Sequence, residues 1–182
     1  MMTDHRIILF RGMNTGGVRA PVAEQRAMAE AMGLKNPRTL LASCNLVVES
    51  DAPPEALERH IEAAMERTFG LRVAAVVRTP DQWAALIATN PFPAQAAAHP
   101  SKLLLMVMKD GILPGALESL RAFAVGDERV EAAAGALFFW HPDGLGQSVM
   151  AGKATPRLVG IGTARNWNTV LKLAEMVGLS AL

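Results

Sequence analysis

Short apolar runs alternate with amphipathic stretches along the chain. The run Ile7, Ile8, Leu9 and Phe10 predicts a strand, and residues 21–32 predict a helix that starts at Pro21 and ends before Gly33. Two more strands are predicted at 39–42 and 46–49, joined through Ser43, Cys44 and Asn45. In residues 54–69, Leu57, Ile61, Ala64, Met65 and Phe69 fall near helical spacing on one side, with Glu58, Arg59, Glu62 and Glu66 mostly on the other. This is a second helix, stopped at Gly70, and its glutamates are expected to form a solvated surface. Residues 73–77 are rich in β-branched side chains and predict a fourth strand, and 81–88 add a helix. The order β-α-β-β-α-β is that of a ferredoxin-like unit.

Residues 91–100, rich in Ala and Pro, read as a linker, and beyond them the order recurs. A strand is predicted at 103–108, a helix at 114–123, and a hairpin of 129–133 and 137–140 that turns near Gly135. A weaker helical stretch at 145–158, a short strand near 159–163 and a last helix at 167–177 complete the pattern. Thr79 and Trp83 stand four apart where a strand enters a helix, and so do Thr163 and Trp167; the Thr would cap the helix and the Trp would face inward. Repeated order and residue echo together point to a duplication. The expected class is α+β: two tandem ferredoxin-like halves with antiparallel sheets, each followed by an extra helix. Residues 1–90 form the N-terminal half, 91–100 the linker and 101–182 the C-terminal half.

Composition narrows function more than fold. The 182 residues are 51% hydrophobic and 19% charged, which describes a packed globular protein. Eighteen Lys and Arg face 17 Asp and Glu, for a net charge of +1. A protein that neutralises many phosphates shows a basic excess, so nucleic acid is not an expected partner; one small anion needs no such excess. Cys44 is the single cysteine, which rules out an intramolecular disulfide and a Cys-rich metal site and fits a reducing compartment. No apolar stretch reaches the ~18–20 residues that span a bilayer. The first apolar run is too short for a signal-peptide core, and a cytoplasmic protein without membrane association is expected. His5, His60, His99 and His141 lack metal-ligand spacing, so no metal is expected, and no pattern designates a cofactor.

Three stretches carry candidate chemistry. The first is Arg11 with Gly12, Asn14, Gly16 and Gly17, placed where a strand ends. Glycines let backbone N–H groups converge on one ligand, and the planar guanidinium pairs with anions. In the expected topology this loop meets the turn at Ser43 and Asn45, with Arg72 nearby. It matches neither the P-loop nor the dinucleotide fingerprint, and taken by itself a plain flexible turn explains its glycines more simply. The second is Arg165, Asn166, Trp167, Asn168 and Thr169 at a helix start, where anions are favoured. Capping and core anchoring account for part of that cluster. The third follows the strand at 137–140: Asp143-Gly144 is foremost a turn signal, with Ser148 and Lys153 as further candidates.

Together with Asn90-Pro91-Phe92-Pro93, these segments resemble the bacterial "domain of unknown function 1697" family. The match runs through residues 11–17, 43–48, 90–93, 142–148 and 163–170, in order along nearly the whole chain. The resemblance implies a cytoplasmic α+β protein of two related ferredoxin-like halves and brings no established activity. The family typically has Gly at the position of Cys44, a basic residue at Gln147 and Lys at Val149, so Lys153 would have to stand in for a lost cation. The leading functional expectation is binding of a small phosphorylated or anionic ligand through these loops. The alternatives are an enzyme acting on phosphoryl or acyl groups through Ser148 or Asp143, with no general base evident beside either, and a nucleic-acid module using Phe138, Phe139 and Trp140.

Overall fold

The computed structural model describes residues 4–13, 20–41 and 44–179. In the first half, strand β1 (His5–Arg11) leads to helix α1 (Val22–Ala31), strands β2 (Lys35–Leu40) and β3 (Asn45–Glu49), helix α2 (Pro54–Phe69), strand β4 (Ala74–Arg78) and helix α3 (Pro80–Ala88). Helix α4 (Pro93–Ala98) and a short 3-10 turn at Pro100–Lys102 follow, within and just past the stretch expected as a linker; Pro93 starts α4 with its φ already helical. The second half runs β5 (Leu103–Met108), α5 (Ala116–Arg121), β6 (Arg129–Ala133), β7 (Ala136–Trp140), α6 (Val149–Gly152), α7 (Pro156–Val159), β8 (Gly162–Asn166) and α8 (Trp167–Met176).

Each half holds a four-stranded antiparallel sheet, in the orders β2-β3-β1-β4 and β6-β7-β5-β8. Both orders are the ferredoxin-like one, and a helix follows each sheet. The α+β class expected from the pattern is therefore what the chain adopts. The residues divide into two compact units, one from the N-terminus to Trp83 together with Leu173 onward, the other Ala84–Lys172.

Within the first unit, alternate strand residues Ile8, Phe10, Leu46, Val48, Ala75 and Val77 meet Met28, Leu57, Ile61 and Met65 of the helices. Ile7, Leu9, Val47 and Val76, on the opposite face, are also fully buried. A sheet buried on both faces needs continuous apolar strands, which is why β1 reads as a run rather than an alternation. Sheet β6-β7-β5-β8 repeats this, with Leu104, Met106, Leu137 and Phe139 against Leu120, Met150 and Val159, while Leu103, Leu105 and Phe138 are buried on the other face.

Several boundaries differ from the expectation. β2 lies at Lys35–Leu40, earlier than 39–42, with a register shift between Lys35 and Arg38 and positive φ at Asn36 and Leu41. It is an edge strand, where Pro37 costs no ladder bond and such irregularity is tolerated. The stretch 145–158 is no single helix: a 3-10 turn at Leu145–Gln147 gives way to α6 and α7, because Ser148 and Thr155 each cap a new start. Val159 closes α7, and the strand expected near 159–163 is β8, three residues later.

The glutamates of α2 are not all a solvated surface. Glu58 is 6% exposed and its Oε2 accepts from the backbone N–H of Val77 at 2.9 Å, while Glu62 Oε2 accepts from that of Ala75 at 3.1 Å. Arg78 Nη1 lies 3.7 Å from Glu58 Oε2. Two carboxylates one helical turn apart thus satisfy amides along the outer edge of β4, an edge that would otherwise offer itself to another strand. Among the described residues no helix is long and apolar enough to cross a membrane.

Candidate functional site

The first candidate site lies at the end of the first sheet where β1 finishes. Register pairs Leu9 with Asn45 and Arg11 with Ala74, and the Phe10 N–H donates to the Cys44 carbonyl at 3.0 Å. Arg11, half-buried, therefore stands beside the β2–β3 turn, as the topology requires. Gly12 turns the chain away from the strand at a φ of 77°, a left-handed conformation that favours glycine. Asn14, Gly16, Gly17 and Ser43 lie outside the described residues. Asn45 is fully buried and its Nδ2 donates to the Leu40 carbonyl at 3.1 Å, so it braces the turn. Arg72 is turned elsewhere: its side chain is 87% exposed and pairs with Glu66 at 3.0 Å.

The other two candidate stretches meet at one end of the second sheet. Leu103 pairs with Trp140 and Leu104 with Asn166, so the ends of β7 and β8 flank the start of β5. Here hydrogen bonding assigns many of the polar groups to the backbone. Asn166 Oδ1 accepts from the Thr169 N–H at 3.1 Å and caps α8. Thr169 is buried, Asn168 exposed, and Trp167 packs with its ring 6.4 Å from that of Phe138. Arg165 sits within β8 and its Nη1 donates to Thr163 Oγ1 at 2.6 Å and to the Ala164 carbonyl at 2.8 Å. Ser148, buried, accepts from the Ala151 N–H at 3.1 Å and caps α6, while Asp143 is exposed in the turn after β7. Lys153 Nζ stands 5.1 Å above the Phe123 ring.

The Thr–Trp echo dissolves in part. Thr79 caps α3 in a reciprocal pair with Gln82, whereas Thr163 is inside β8 and Asn166 takes the capping role. Both tryptophans are nevertheless buried. We expect Asn166→Ala to lower stability by about 1 kcal/mol, read from urea denaturation, since an orphaned helix N–H results. An unchanged midpoint would free Asn166 from its capping role.

His141, whose spacing in the sequence matches no metal or catalytic pattern, stands out in the structure. It is 1% exposed, and neither ring nitrogen has a partner among the described residues. Extending the β6–β7 register sets buried Glu128 across from it. Burial holds its pKa below the ordinary 6.5, with Glu128 opposing the shift. The unfolded chain then takes up the proton first as pH falls through 6.5. Stability should drop from there until the folded value is passed, and be unaffected above 6.5. Melting temperatures between pH 7.5 and pH 5 should show this step in the wild type and lose it in His141→Leu. No group of three or more His, Cys, Asp or Glu among the described residues is placed to hold a metal ion.

Two antiparallel sheets of identical ferredoxin-like order, with polar loops gathered at strand ends, define an α+β protein of paired halves. The chain belongs to the family described as a protein of unknown function (DUF1697), whose model matches residues 2–138. It is similar in fold to a conserved bacterial protein from Streptococcus pneumoniae, with a TM-score of 0.78 at 17% identity, over 97% of this chain and 99% of that one. No curated protein matches it.

Proposed function

We propose that this protein binds a small phosphorylated or otherwise anionic ligand at the end of the first sheet, where Arg11 meets the turn that opens β3. The observation that supports this reading is the register: Leu9 opposite Asn45 and Phe10 bonded to Cys44 bring the one arginine of β1's end beside a second polar loop. Arg11 supplies the planar cationic fork, and the glycine-rich residues 12–17 supply backbone donors, with Asn14 and Ser43 as neutral partners. The identical strand orders of the two halves support descent from a duplicated unit, only one copy of which carries this loop.

A thermal-shift screen with inorganic phosphate, sugar phosphates and nucleotides tests the reading. A ligand at a hundredfold its Kd adds about 2.7 kcal/mol to folding stability, well within reach of such a screen. We expect at least one phosphorylated compound to raise the melting temperature, Arg11→Ala to abolish the response, and Arg11→Lys to keep part of it. If no anion stabilises the protein, or Arg11→Ala responds like the wild type, the reading is wrong.

A further inference from the structure

A cleft of about 350 Å³ opens in the second unit between the end of α3, helix α4 and the first turns of α8, lined by Asn90, Pro93, Ala96, Ala97, Trp167 and Leu171 among others. That volume falls in the usual range for small-molecule sites. The walls are apolar and small, and no residue lining the cleft carries a charge. The side-chain groups they leave unused for hydrogen bonding are donors. Trp167 is 5% exposed and its ring is held against Phe138, while its Nε1 makes no hydrogen bond to the described residues and keeps access to solvent. Asn90 uses its Oδ1 to accept from the Phe92 N–H at 2.9 Å, so its Nδ2 is what it offers a ligand. The ten-residue helix α8 begins at Trp167 and turns the positive end of its dipole to the same place.

A largely apolar cleft whose side chains offer unused donors suits a ligand with an apolar body and an acceptor group. Two neutral donors and a helix end match one negative charge spread over two oxygens. A phosphate dianion, with no cation in the lining to pair with it, would lose more hydration than these groups restore. We infer that the cleft binds a small monocarboxylate with a compact apolar body, its carboxylate accepting from Trp167 Nε1 and Asn90 Nδ2. The body lies against Pro93, Ala96, Ala97 and Leu171. The site is built from the second unit alone and does not depend on Arg11.

Isothermal titration of the whole chain with phenylacetate, benzyl alcohol and inorganic phosphate tests this. Phenylacetate should bind, and both others should bind about tenfold more weakly or worse, because each lacks one half of what the cleft recognises. Asn90→Asp keeps the oxygen that Phe92 needs and turns the donor into a carboxylate; it should weaken phenylacetate by about tenfold or more. Ala97→Phe fills the cleft from an exposed position that leaves the core intact, and should abolish binding. Trp167→Phe keeps a smaller aromatic ring, loses the N–H and should weaken binding several-fold. The inference is overturned if phenylacetate fails to bind the wild type. It is equally overturned if Asn90→Asp and Ala97→Phe bind it unchanged, or if phosphate displaces it.

Discussion

Glu58→Ala should destabilise the protein by about 3 kcal/mol, a larger loss than most single side chains produce. The carboxylate is buried, accepts from the Val77 amide and lies 3.7 Å from the Arg78 guanidinium. Removing it leaves the buried Val77 amide unpaired and takes a counter-charge from beside Arg78, whose Nη1 also donates to the Val77 carbonyl at 2.8 Å; the unpaired amide is costly where water cannot compensate. Glu58→Gln should lose less, because the amide oxygen still accepts from Val77 while the charge for Arg78 is gone. Equilibrium denaturation in urea decides the matter. A change below about 0.5 kcal/mol for Glu58→Ala would mean that the β4 edge is satisfied without it.

Gly162→Val should cost a comparable amount, about 3 kcal/mol, through crowding in the opposite half of the chain. A Cβ at position 162 would lie 2.7 Å from Met108 Sδ and 2.9 Å from the Val107 carbonyl oxygen. The methionine can swing aside, but the carbonyl belongs to β5, whose Met108 pairs with Gly162 itself. The strand must therefore shift and strain the β5–β8 ladder. Gly162→Ala should show a smaller loss in the same direction. If both variants melt with the wild type, β8 does not approach β5 as closely as described.

These two residues also mark where sequence reading stops. Apolar runs and glycine stops predict the elements of both halves and their ferredoxin-like order, because burial patterns and helix ends are local signals. Glu58 looked like one more charge on the polar side of α2, since spacing along a helix says nothing of the strand edge beside it. Gly162 falls within the short strand expected near 159–163, but the local pattern says nothing of how closely that strand approaches β5. In the candidate site, the meeting of Arg11 with the β2–β3 turn was legible from topology alone. The capping duties of Asn166 and Ser148 were legible only in part, because chain position suggests a cap but hydrogen-bond geometry assigns it. Trp167 and Asn90 stand 77 positions apart in the chain, and only the folded second unit puts both on one cleft.

The anion-binding reading is tested most directly by a heteronuclear NMR titration with inorganic phosphate. Saturable shifts should concentrate at the amides of Gly12, Gly16, Gly17 and Asn45 and vanish in Arg11→Ala. Shifts that are absent there, or that survive the loss of Arg11 unchanged, would contradict it.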